Sequence, residues 1–138
     1  MTLTVWFDVH SPWVYLAAPR VGPIARKHGQ GLVWRPIHLP RLLDEIGGVK
    51  PLEANPARVA WFRQDIRDFA ELQAMPLSPH PQYPLRNSRC LRACQYAQEQ
   101  GKAEAFVIRV TRAYWAEHGD ITDPDRLGAW GEECGLDG

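Results

Sequence analysis

The sequence predicts an α/β chain: a βαβ unit over residues 1–39, followed by a helical block over residues 40–138. Three observations carry this. Two short β-rich apolar runs, Leu3 to Phe7 and Leu32 to Leu39, flank one helical segment. That segment opens on Ser11-Pro12, a cap residue followed by proline. Everything beyond Leu39 is spaced as helix and punctuated by further cap-and-proline pairs.

Leu3 to Phe7, closed by Asp8, reads as a short buried strand. The serine oxygen of Ser11 can accept an orphan helix N–H, and Pro12 loses no needed donor in the first turn. The helix runs towards Lys27, with Leu16, Ala17, Val21, Ile24 and His28 on roughly one face. Pro19 and Pro23 remove backbone donors, so a kink or break is expected near Pro19. Gly29 and Gly31 end the element, and Pro36 marks the second strand as an edge or a bulge.

Pro40 to Ile46 makes one or two helical turns, closed by Gly47-Gly48. Asn55-Pro56 repeats the capping signature ahead of Val59, Phe62, Ile66, Phe69 and Gln73. Pro76 to Pro84 holds four prolines and reads as a stiff, extended loop. Asn87 caps a helix to Gln100, Gly101 separates it from a helix carrying Phe106, Val107, Val110 and Tyr114, and Asp123-Pro124 caps a last helix ending near Cys134-Gly135. Two parallel strands leave open edges and are marginal alone, so the sheet is expected to be completed by something more.

The 138 residues suit one domain, and 16 basic residues balance 16 acidic ones. That argues against a dedicated nucleic-acid binder. No run is apolar enough to span a membrane, and MTLTVWFDVH lacks the pattern of a secretory signal. With three cysteines, an odd count, the expected location is the cytoplasm. Cys90 and Cys94, one helical turn apart, read as small buried hydrophobes, and no Cys/His spacing suggests a metal. Arg86, Arg89 and Arg92 read as a solvated face, with anion binding as the minority reading.

Ser11 is the candidate for chemistry. A helix N-terminus concentrates unpaired N–H groups and roughly +0.5 of an elementary charge. A hydroxyl there can hold an external thiolate, because positive potential lowers a thiol pKa. A Ser11–His10 hydrolase is the weaker alternative, since neighbours on an extended segment face opposite ways. A plain N-cap is what the Ser-Pro dipeptide alone supports.

The segments FDVHSPWVYLA, KPLEANPARVAWFRQDI, YPLRNSRCLRA and AEAFVIRVTRAYWAEHGDITDP occur in an order that resembles the DsbA-like thioredoxin superfamily. Within it they are similar to 2-hydroxychromene-2-carboxylate isomerases and their kappa-class glutathione transferase relatives. Ser11, Pro12, Trp13 and Val14 stand where other members carry a C-P-x-C dithiol, so dithiol exchange at this turn is excluded. The resemblance implies a thioredoxin-like βαβ part with an inserted helical domain, and glutathione as cofactor. It implies that Ser11 stabilises the glutathione thiolate. Arg58 stands where the family commonly places a lysine on glutathione, and Asn87 and Ser88 match a polar helix start beside the site. Trp13 and Trp61 are candidates to line a pocket for an aromatic or electrophilic substrate. The family's last ββα part has no counterpart in the sequence, so the chain is expected to be a shortened or divergent member. Its open edge is expected to pair in a homodimer; a non-catalytic interaction module is the competing class.

Overall fold

The computed structural model describes residues 1–137. Strands β1 (Thr2–Phe7) and β2 (Gly31–Pro36) run parallel, in register from Thr2 opposite Gly31 to Phe7 opposite Pro36. Helix α1 (Pro12–Lys27) makes the crossover between them. Then come α2 (Leu39–Ile46), a 3₁₀ turn at Pro51–Glu53, α3 (Pro56–Leu72), α4 (Ser88–Glu99), α5 (Ala103–Ala116) and α6 (Pro124–Glu133). The βαβ unit and the helical block are those the sequence predicts. The second strand ends at Pro36, just after which the Ile37 amide still donates to the Phe7 carbonyl at 2.8 Å.

A break at Pro19 is not found, and the buried face of α1 differs from the one expected. Helix α1 runs unbroken through Pro19 and Pro23. Neither proline belongs to its buried set: Pro19 is half-buried and Pro23 is exposed. Its inward face is Pro12, Tyr15, Leu16, Ala18, Gly22 and Ala25. Ala17 and Ile24 are exposed instead. Small residues set this face because α1 lies close against α5; a Cβ on Gly22 would overlap the Glu104 carboxylate.

The core runs continuously from the βαβ unit into the helices. Phe7, Val9, Tyr15, Leu16 and Trp34 pack with Cys90, Cys94, Phe106, Val107, Val110, Tyr114 and Trp115. Cys90 and Cys94 are fully enclosed free thiols, as expected of small hydrophobes, and the hydrogen bond with the Cys90 thiol, together with burial, pushes the Cys94 thiol well up. Long-range bonds join the two segments: Trp115 Nε1 donates to the Val9 carbonyl at 2.9 Å, and the Trp34 amide donates to Gln98 Oε1 at 2.9 Å.

Candidate functional site

The strand-to-helix turn is held by its own backbone. The Ser11 amide donates to the Asp8 carbonyl at 3.0 Å, and Val14 N–H returns to the Ser11 carbonyl at 3.1 Å. Ser11 occupies the N-cap position with φ −84° and ψ 120°, yet its side chain makes no capping bond. The expectation that its oxygen accepts an orphan helix N–H is therefore corrected. The hydroxyl is half-exposed at the positive end of a 16-residue helix, and none of the described residues engages it. By contrast, Asn55 and Asp123 do cap as predicted: Asn55 Oδ1 accepts from Arg58 N–H at 2.9 Å, and Asp123 Oδ1 from Asp125 N–H at 2.9 Å.

Behind the turn lies a polar knot that sequence reasoning missed. Asp8 is 1% exposed. Its Oδ1 accepts from His10 N–H at 3.0 Å and from Asn87 Nδ2 at 2.7 Å, and its Oδ2 from Leu39 N–H at 2.8 Å. One carboxylate thus ties the end of β1, the start of α2 and the start of α4. The only sequence signal for it is an acidic residue directly after a buried apolar run, VWFD. The His10 ring lies between the Leu85 carbonyl, at Nε2, and Asn87 Nδ2, 3.3 Å from Nδ1. Both contacts are satisfied by the tautomer with its proton on Nε2. The ring is engaged there rather than beside Ser11, so no Ser–His nucleophile pair forms. Tyr83 and Tyr114 complete the wall, with ring centroids 5.8 and 6.0 Å from that of His10. Burial raises the pKa of both phenols.

The other predicted site residues separate into three places. Trp13, in the first turn of α1, meets Phe62 and Phe69 of α3 edge-on, at centroid distances of 6.3 and 5.5 Å. Arg58 lies one turn before Phe62 on α3 and is exposed. Trp61 is 61% exposed on the same helix. Thus α3 brings Phe62 and Phe69 to Trp13 at the α1 turn, with Arg58 one helical turn before Phe62. Asn87 goes the other way: it is fully enclosed and bonded to Asp8, it does not cap α4, and its Oδ1 has no partner. Its side chain supports the turn from inside. Ser88 is half-exposed and lines a cavity with Arg86, Arg89, Arg92 and Thr122.

No group of His, Cys, Asp and Glu among the described residues is arranged to hold a metal ion. No helix of the described chain is long and apolar enough to cross a membrane.

A family profile described as a DSBA-like thioredoxin domain matches residues 2–138. The chain is 28% identical over 137 residues to a 2-hydroxychromene-2-carboxylate isomerase of Sphingobium xenophagum, covering 99% of this chain and 69% of that protein. It is 29% identical over 119 residues to the Pseudomonas putida protein of the same name, covering 85% and 57%. A solved structure of 2-hydroxychromene-2-carboxylate isomerase superposes with a TM-score of 0.80 at 26% identity, over 99% of this chain and 67% of that one. The sequence, the α1 crossover and the serine at its head converge on one conclusion: the chain belongs to the DSBA-like thioredoxin domain family.

Proposed function

We propose that this chain serves a glutathione-dependent isomerase of the 2-hydroxychromene-2-carboxylate type, with Ser11 as the seat of the glutathione sulfur. The observation that carries the reading is the Ser11 hydroxyl, half-exposed at the head of α1 and left without a capping bond. A hydroxyl with its proton free, beside the Trp13 amide at the positive end of α1, suits a thiolate better than a neutral thiol. The isomerase relatives supply the reaction type.

When bound, glutathione supplies a sulfur nucleophile that adds reversibly to carbon and is released unchanged. The protein's own residues do the rest. Ser11 donates a hydrogen bond to the sulfur and keeps it ionised. Arg58 offers a guanidinium to a carboxylate of the peptide, in the role for which the family commonly uses lysine. Trp13 presents an aromatic edge beside the same turn, and Trp61 extends the apolar surface along α3. Asp8, His10 and Asn87 hold the turn in place and touch no ligand. The free thiols suit a reducing compartment, such as the cytoplasm. The same proposal includes a homodimer formed through β1, whose residues Thr2 to Thr4 are exposed and whose Trp6 is 63% exposed.

The experiment is a glutathione-dependent isomerase assay on the pure chain beside Ser11→Ala. A rate that needs glutathione and falls at least about a hundredfold in Ser11→Ala is expected, the scale of a lost preorganised donor at a developing or resident anion. Equal, non-zero rates remove Ser11 from the mechanism. A conjugate that accumulates instead of a released isomer moves the reading to a kappa-type transferase. No glutathione binding moves it to an interaction module.

A further inference from the structure

A second site lies on the helical block. Arg86, Ser88, Arg89, Arg92 and Thr122 line a cavity of about 290 Å³ between the head of α4 and the α5–α6 connection. Neither Ser11 nor Trp13 lines it. Spacing makes the three arginines a solvated face, and all three are exposed; the fold adds Thr122 beside them, so that they line an open hollow.

Three features distinguish it from ordinary surface charge. First, the three arginines have no carboxylate partner among the described residues, a state they share with Arg20, Arg35, Arg58, Arg63 and Arg67, but these three line one hollow together. In a chain of zero net charge, three formal positive charges gather around one hollow. The nearest acids face elsewhere in their bonding: Asp120 accepts from the Thr122 amide and hydroxyl, at 2.8 and 2.6 Å, and stays ionised, while Asp123 caps α6 and pairs with Arg126. Second, Arg89 is preset: its Nη1 donates to the Thr122 carbonyl, leaving its other N–H groups for a guest. Third, Asn87 spends its side chain on Asp8, so the first turn of α4 is not capped from within.

We propose that this cavity binds the phosphate group of a small phosphate monoester. A carboxylate carries one charge and two oxygens, enough for one guanidinium fork. Three guanidiniums and the Ser88 hydroxyl match a tetrahedral dianion with three terminal oxygens. The cavity is also much larger than phosphate alone, and leaves room for the organic group that carries it. The site is independent of the sulfur seat at Ser11.

The test is a titration of the full chain followed by amide and arginine side-chain NMR shifts, with inorganic phosphate, phenyl phosphate, acetate and glutathione as separate probes at constant ionic strength. Saturable shifts of Ser88, Arg89 and Thr122 are expected with both phosphates, tighter with phenyl phosphate, and absent with acetate. The Arg86→Gln/Arg92→Gln double variant, altered only at exposed positions, is expected to weaken phosphate binding at least about tenfold, the scale of lost charge-assisted bonds. Ser11→Ala is expected to bind phosphate as the parent chain does. The proposal is overturned by shifts that do not saturate, by shifts spread over basic residues elsewhere, by unchanged affinity in the double variant, or by glutathione occupying the cavity where phosphate does not.

Discussion

Asp8 to alanine is the substitution whose cost the structure defines most closely. It removes the acceptor of three N–H bonds: Asn87 Nδ2 at 2.7 Å, Leu39 N at 2.8 Å and His10 N at 3.0 Å. The Asn87 amide is enclosed and keeps no alternative for that proton, so it bears a penalty of about 2–3 kcal/mol. The two backbone donors are partly reachable by water, and about 1 kcal/mol each is appropriate. The sum, roughly 4–5 kcal/mol, is a large share of the roughly 5–15 kcal/mol that stabilises a typical domain. Asp8→Asn is milder. Turning its new NH2 towards Leu39 preserves the Oδ1 pair and loses one bond, about 1–2 kcal/mol. Urea unfolding of the parent chain, Asp8→Ala, Asp8→Asn and Asn87→Ala measures the ranking, and the Asp8/Asn87 double-mutant cycle is expected to show coupling of about 1–3 kcal/mol. An Asp8→Ala cost below about 1 kcal/mol at unchanged m-value, or additivity within about 0.5 kcal/mol, refutes the reasoning.

Three further outcomes are expected. Trp115→Phe orphans the buried Val9 carbonyl, now bonded at 2.9 Å, and costs about 1–2 kcal/mol in urea unfolding; a neutral result denies that bond a role. Gly119→Ala places a Cβ 2.9 Å from the Trp130 ring and 3.0 Å from the Ala113 carbonyl, and its overpacking costs about 1–3 kcal/mol, to be read as a lowered Tm; an unchanged Tm contradicts the close approach. The Thr122 hydroxyl and amide hold the Asp120 carboxyl below its ordinary 3.8. A lowered folded pKa adds stability above the ordinary value and loses it as pH falls through the folded one. Acid unfolding of the parent chain and Asp120→Asn should therefore converge below pH 4; the effect is small because Asp120 lies near the surface and is partly reached by water, and a gap that widens in acid contradicts the sign.

Local chemistry made much of the fold legible. Asn55-Pro56 and Asp123-Pro124 cap α3 and α6 as written because side chain, backbone donor and proline lie within a few residues. The βαβ unit followed from two β-rich runs around one capped helix. Ser11 was found in the same way, but its hydroxyl does not cap, and that difference is what leaves it available. Pro19 illustrates the converse: a local rule predicted a kink or break, and the helix runs on through it without a break. Asn87 has the identity and position of a cap, yet a carboxylate 79 residues away claims its side chain. The Asp8 knot and the arginine cavity were illegible for that reason: each is made by residues that meet only in the folded chain.

The central claim concerns the charge state of a sulfur. Difference absorbance of the thiolate near 240 nm, followed against pH for glutathione bound to the parent chain and to Ser11→Ala, tests it most directly. The account predicts that bound glutathione ionises at a lower pH than free glutathione, and that Ser11→Ala returns the transition towards the free value while peptide binding persists. Identical transitions for the two proteins, or a bound thiol that ionises no more readily than in solution, contradict it.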